Sequence, residues 1–253
     1  MPDKAARAGG IQVLHRAADV LRVLQTAPAG LSQAEIASRL HLATSTVHRI
    51  VGALEEEGFV AGTASGGRAR YRLGSEIARL AGAVRRSLIG EFHPLLEQLS
   101  AATGETADLA ALDHNRVTFI DQVVAPNRLR AVSAIGESFP VHCTANGKAI
   151  LAAMPPGEVA ALVAPMAGYT PHTITDPERL EAELAVVRRD GVAFDRGEHT
   201  EGICAVGAVV GDVLGETVAV SVPMPAQRFA GREDELAALL LDVLERHRPS
   251  TDA

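Results

Sequence analysis

The chain has 253 residues, 47% of them hydrophobic, which is enough for more than one core. Its formal net charge of −7 argues at face value against a nucleic-acid ligand, and its two cysteines, Cys143 and Cys204, offer neither a disulfide framework nor a zinc-type CxxC spacing. No apolar run approaches the length of a membrane span and the amino terminus lacks the apolar segment of a secretion signal, so a cytoplasmic protein without membrane partners is expected.

The first ten residues read as a loose arm. Val13 to Thr26 follows as an amphipathic helix that Pro28 and Gly30 end. Ser32 to Val51, SQAEIASRLHLATSTVHRIV, then carries two apolar stripes at helical spacing, interrupted at His41-Leu42-Ala43. That pattern predicts two short helices packed across a tight turn, the helix-turn-helix that presents its second helix to the major groove. Ser32 and Glu35 have the spacing of a capping box, and Thr44 or Ser45 is placed to cap the second helix. With its apolar side turned inward, that helix offers Ser45, His48 and Arg49 to a ligand, with Thr44 and Thr46 at an end that favours phosphate.

Two short strand-like pieces, Phe59 to Ala61 and Tyr71 to Leu73, flank the glycine-rich stretch GTASGGRAR, which carries Arg68 and Arg70. Three helices and a basic hairpin describe a winged helix-turn-helix, with Arg49, Arg68, Arg70 and Arg72 as candidate phosphate contacts. Local charge supports this: residues 1–87 hold 12 Lys and Arg against 7 Asp and Glu, a net +5, which leaves −12 for the remainder. A basic module is thus joined to an acidic one, and phosphate affinity follows the local excess. The chain has no Trp, two Tyr and six Phe, a poor supply of stacking platforms, which favours double-stranded DNA over single strands.

Ser75 to Leu88 reads as a linker helix and Glu91 to Ala102 as a second helix ended by Gly104. Strands are then expected over ETADLAALD, RVTFIDQVVA and LRAVSAI, with His114-Asn115 turning between the first two. Helices follow near Gly147 to Met154, Gly157 to Val163 and Pro177 to Asp190, strands at Val192 to Asp195, Ala205 to Val213 and Val218 to Pro223, and a last helix from Gly231 to Arg246. The expected fold class is α+β: a winged helix-turn-helix over residues 11–73, a linker helix over 74–88, and over 89–253 an antiparallel sheet flanked by helices.

The segments TSTVHRIVGALEEEGFV, YRLG, GETADLAALD, FPVHCTANGKAIL, TITDP, RDGVAFDRGEHTEGICAVGAVV and AVSVPMPAQRF, in this order, resemble the IclR-type bacterial transcriptional regulators over nearly the whole chain. The resemblance implies a DNA-binding regulator, a repressor and not an enzyme, that reads palindromic operators as a homodimer or tetramer. It also implies a GAF-like C-terminal domain that binds a small organic-acid effector, with no cofactor and no metal.

The effector site has physics of its own. Thr144 caps a helix whose first amides belong to Ala145, Asn146 and Gly147, an end able to hold a carboxylate without a cation. A Walker loop is excluded, because Gly is missing five residues before Gly147 and Ala149 follows Lys148 in place of Ser or Thr. Lys148 is expected to snorkel at a helix surface. The resemblance adds Asp195, Ala205 and Ser221 to the pocket, but Ala205 stands where the family has cysteine and Pro223 where a second serine is common. A pocket so depleted should suit a bulkier or less polar acid than glyoxylate or pyruvate. A competing reading makes Cys204 and His199 a cysteine-based redox sensor or hydrolase, with Glu198 and Asp195 close in sequence.

Overall fold

The computed structural model describes residues 4–65, 68–213 and 216–247, excluding the side chains of residues 4–11, 64, 65, 68 and 213. The chain divides into two compact units, Met1–Val84 and Arg85–Ala253. Among the described residues no helix is long and apolar enough to cross a membrane.

The first unit holds α1 (Lys4–Gln25), α2 (Gln33–Leu40), α3 (Thr44–Glu56) and the antiparallel pair β1 (Val60–Ser65) and β2 (Arg68–Leu73). The arm expected over the first ten residues is helical from Lys4. The apolar stripes meet as predicted: Val20, Leu24, Ile36, Val47, Ile50 and Val51 form one buried cluster. Each such side chain removed from water contributes about 1.5–3 kcal/mol. The capping box at α2 is complete, with Ser32 Oγ accepting from the Glu35 amide and Glu35 Oε2 accepting from the Ser32 amide at 2.7 Å. His41 adopts left-handed backbone at φ 52° and turns the chain between α2 and α3. The cap of α3 differs from expectation. Its N-cap is Ala43, which offers no side-chain acceptor, and Thr44 and Ser45 stand inside the first turn. The hairpin is fastened to the α1–α2 connection by reciprocal Leu31–Tyr71 backbone bonds of 2.9 and 2.7 Å.

Helix α4 (Ser75–Thr103) crosses the boundary between the units and is continuous through Pro94, where two helices were expected. Leu88, Phe92, Leu95, Leu96 and Leu99 form one buried stripe along it, and that burial outweighs the breaker tendency of Gly90 and Pro94. The second unit continues with β3 (Ala107–Asp113), β4 (Arg116–Val123), β5 (Ser138–Pro140), a 3-10 turn over Val141–Cys143, α5 (Ala145–Ala153), α6 (Pro156–Val163) and α7 (Pro177–Asp190). It ends with β6 (Ala193–Arg196), β7 (Ile203–Val213), β8 (Glu216–Pro225), α8 (Ala226–Phe229) and α9 (Glu233–His247). The strands make one antiparallel sheet in the order β5-β4-β3-β8-β7-β6.

Strand alternation sorts its two faces. Leu109, Val206, Val220, Val222 and Met224 pack with α4 and α9, while Ala110, Phe119 and Ala219 pack with α5, α6 and α7. The strand expected over LRAVSAI is absent: residues 129–135 are irregular, with Leu129, Val132 and Ile135 exposed, and β5 lies just beyond. The Gln122 side chain donates to the Ser133 carbonyl and fixes that segment as a loop.

Candidate functional site

In the first unit Thr44, Ser45, His48 and Arg49 are exposed together on the first two turns of α3, with Thr46 half-buried. His48 is held in place. Its Nδ1 lies 3.2 Å from Gln33 Oε1, and Gln33 Nε2 donates to the Tyr71 hydroxyl at 3.0 Å, so one polar chain joins α3, α2 and the hairpin. Gln33 carried no signal in the sequence, since it follows the cap like any polar first-turn residue. Arg70, expected as a phosphate contact, also has a task within the fold. Its Nη2 and Nε donate to the Gly30 carbonyl at 2.7 and 3.2 Å, and its Nη1 is 3.7 Å from Glu35, which ties the hairpin to the α1–α2 turn. Arg72 is exposed, and the Arg68 side chain lies outside the described residues.

In the second unit a pocket of about 290 Å³ opens on the α5 face of the sheet. Cross-strand pairing builds its floor: Asp108 opposes Ser221, which opposes Gly207, and one row on Pro223 opposes Ala205, which opposes Asp195. All of these point to one face by strand alternation. Gly207 is required there, because a Cβ would lie 3.1 Å from backbone atoms of Ala145 and Asn146, where the start of α5 presses on β7. Gly147 is required as well, since its Cβ would meet the Val141 carbonyl oxygen at 2.3 Å.

Thr144, Ala145, Asn146, Asp195, Ala205 and Ser221 all line this pocket, and Gly147 does not. The Gly147 amide is committed, donating to Thr144 Oγ1 at 3.3 Å and Asn146 Oδ1 at 3.0 Å. The second of these bonds orients the Asn146 carboxamide. Its Nδ2 is buried without a hydrogen-bond partner among the described residues, beside the Ala145 and Asn146 amides that helix geometry leaves without intrahelical acceptors. Opposite, Asp195 accepts from the Glu198 amide at 2.7 Å, and burial raises its carboxyl to about 7. The protonated form is therefore populated at neutral pH and can donate.

Asp108 was not singled out in the sequence. It is 1% exposed, takes 2.6 Å and 3.1 Å hydrogen bonds from Gln122 and Ser133, and is raised by burial to about 7. Its only sequence signal is an acid between Ala107 and Leu109 in an otherwise apolar run. Phe139 and His199 stack with centroids 4.1 Å apart along the wall, and burial lowers the His199 imidazole below its usual range, keeping it neutral.

Lys148 is fully buried, against the expectation of a surface position. Its Nζ sits 2.6 Å from Glu198 Oε1 and 3.1 Å from Glu183 Oε1. Cys204 packs with the α4 and α9 cluster, on the sheet face away from the pocket that His199 lines. Burial, reinforced by Asp195, raises its thiol to about 11, which disfavours the thiolate a nucleophile needs, and the cysteine-based reading has no support. Cys143 is a buried core residue, its thiol raised to about 12. Among the described residues no group of three or more His, Cys, Asp or Glu could hold a metal ion.

A helix-turn-helix with a wing, followed by a helix-flanked antiparallel sheet around a small pocket, defines a DNA-binding transcriptional regulator. Residues 13–63 match the IclR helix-turn-helix domain, and residues 81–246 match the bacterial transcriptional regulator IclR C-terminal domain. The chain belongs to the IclR family. It is 58% identical to the HTH-type transcriptional regulator Rv1719 of Mycobacterium tuberculosis, over 94% of this chain and 92% of that protein. It is 29% identical to the transcriptional repressor IclR of Escherichia coli, over 94% and 89% of the two chains. The crystal structure of an IclR homologue from Microbacterium hydrocarbonoxydans complexed with 4-hydroxybenzoate matches with a TM-score of 0.58 and 25% identity, over 93% of this chain and 97% of that one.

Proposed function

We propose that this regulator is a cytoplasmic repressor that binds a palindromic operator in double-stranded DNA as a homodimer or tetramer, and that a small organic acid in its C-terminal pocket changes its operator affinity. Residues 11–73 are the DNA-binding domain in this reading, 74–88 the linker and 89–253 the effector domain. Thr44, Ser45, Thr46, His48 and Arg49 contact bases and phosphates, with Arg68 and Arg72 on the wing.

The observation that carries the effector reading is Asn146 Nδ2. A buried donor without a partner costs about 1–3 kcal/mol, and here it stands beside two backbone amides at a helix start, all lining one pocket. A carboxylate oxygen satisfies that set. The homologue complexed with 4-hydroxybenzoate supports an acid of this size. Ala205 and Pro223 line the floor without polar side-chain atoms, which favours an aromatic or similarly bulky acid over glyoxylate and pyruvate. Such a ligand switches the protein only by binding one of its two states better than the other.

The test is a titration of a duplex from the region upstream of the gene, followed by fluorescence anisotropy across a salt series. Affinity that falls steeply with salt is expected, and binding indifferent to salt and sequence overturns the operator reading. Calorimetry with benzoate, phenylacetate, pyruvate and glyoxylate then tests the pocket, where glyoxylate as the preferred ligand overturns the bulky-acid assignment.

A further inference from the structure

Asp108 is a costly residue to keep where it stands. Its side chain is withdrawn from water on the pocket floor, and the groups that hold it, the Gln122 amide and the Ser133 hydroxyl, are neutral. A buried carboxylate stabilised only by neutral donors costs folding free energy that an apolar residue would not. Packing alone gives no reason for it, since Ala107, Leu109 and Ala110 around it on β3 are apolar and fully buried. Each Asp108 oxygen has one protein donor and a second lone pair to spare. The carboxyl therefore keeps acceptor capacity on a surface that lines the pocket.

The sheet register places this acceptor relative to the donor end of the site. Asp108 opposes Ser221 and Ser221 opposes Gly207, on which Ala145 and Asn146 of α5 rest. Two strand spacings separate β3 from β7, about 10 Å between backbones. A pocket of about 290 Å³ lined by both ends takes one ring or a short chain between them. Donor placement fixes the direction. A ligand carboxylate is drawn to Asn146 Nδ2 and the α5 amides, whereas Asp108 offers it only acceptors and repels it once ionised; Arg130, the cation that also lines the pocket, donates its Nη1 to the Asn127 carbonyl at 2.8 Å.

We infer that Asp108 is a specificity-determining residue of this pocket, accepting a hydrogen bond from a hydroxyl at the end of the effector opposite its carboxylate. The effector class is then a hydroxy acid with its two groups separated by a ring or a short chain. This rests on the acid-sensing reading above and narrows it. Gln122 and Ser133 are positioning residues, holding the carboxyl so that its remaining lone pairs face the ligand.

The experiment is calorimetry on the full chain with matched probes. One set is 4-hydroxybenzoate, benzoate and 4-methoxybenzoate, and the other is 5-hydroxypentanoate and pentanoate. In the wild type at pH 8, above the value of about 7 to which burial raises Asp108, the hydroxylated member of each set should bind about tenfold or more tighter than its parent, as expected for a hydrogen bond to a charged group. 4-Methoxybenzoate, similar in shape but without the donor, should bind no better than benzoate. Asp108→Leu should bring the hydroxyl preference below about threefold. Asp108→Asn, which keeps the shape should the leucine variant fail to fold, should lower the ratio of 4-hydroxybenzoate to 4-methoxybenzoate affinity at least tenfold. Acids that bind the wild type with no hydroxyl preference, or a preference that survives in the folded variants, overturn the assignment of Asp108 while the acid site stands. Failure of every acid to bind overturns the acid-sensing reading and this inference together.

Discussion

Lys148 Nζ sits 2.6 Å from Glu198 Oε1, and neither side chain reaches solvent to more than 5%. The pair joins the second turn of α5 to the loop 197–202, which delivers His199 and Thr200 to the pocket wall. One ion pair thus sets the distance between the helix that offers donors and the loop that closes over them.

Removing one partner of such a pair leaves a buried charge unmatched, so Lys148→Met should destabilise the second unit by about 3–5 kcal/mol in urea unfolding. Converting both, as Lys148→Met with Glu198→Leu, should restore a large part of that loss, because two desolvation penalties disappear along with the attraction. If the double variant is as unstable as the sum of the single ones, the pair is not the coupled unit described here.

Asp108 and Asp195 make stability depend on pH in a definite direction. Both carboxyls are raised by burial from 3.8 to about 7, so between those values the folded state holds protons that the unfolded chain has released. Stability is therefore full below pH 4 on their account and is lost as pH rises through 7. His199, held neutral by burial, opposes this below its ordinary value of 6.5, so the clean measurement compares wild type and Asp108→Asn at each pH. The variant's advantage in unfolding free energy should grow by about 2–4 kcal/mol from pH 5 to pH 8. A difference that stays flat across that range removes the buried-carboxyl account.

The elements that the sequence disclosed are those whose signal is local. The Ser32–Glu35 capping box, the break at His41 and the α7 start at Asp176-Pro177 each depend on neighbours within a few residues. What it concealed depends on pairing across the chain. Lys148 reads as an ordinary helix lysine until Glu198, fifty residues on, is brought to it. Asp108 reads as a strand polar residue until Gln122, Ser133 and Ser221 surround it. Helix α4 shows the same effect: Gly90 and Pro94 are local stop signals, overridden by a buried stripe that only the folded sheet supplies.

Gly207 is the contact on which the placement of α5 depends. A methyl group there would lie 2.9 Å from the Val220 carbonyl oxygen and 3.1 Å from Ala145 and Asn146 backbone atoms, none of which can swing aside as a side chain would. Gly207→Ala should lower stability by about 1–3 kcal/mol and weaken binding of any acid held at the α5 amides. Gly157→Ala on α6, with nothing within 4 Å, should be neutral or slightly stabilising. Differential scanning fluorimetry with and without benzoate checks both, and equal behaviour of the two variants would show that α5 is not pressed on β7.

Arg49 and Arg70 are both arginines near the docking side of the first unit, and their surroundings assign them opposite consequences. Arg49 is exposed on α3, whereas Arg70 donates to the Gly30 carbonyl and stands by Glu35. Arg49→Ala should weaken operator binding about 10- to 100-fold and reduce the salt slope by about one while the melting temperature is unchanged. Arg70→Ala should instead cost about 1 kcal/mol of stability in the first unit, through loss of its bonds to Gly30. Its effect on DNA should follow from that loosening and be recovered at lower temperature. Gel-shift titrations at two temperatures, read beside thermal melts, separate the two. An Arg70→Ala protein that melts like the wild type yet loses DNA at every temperature would return Arg70 to the phosphate contacts.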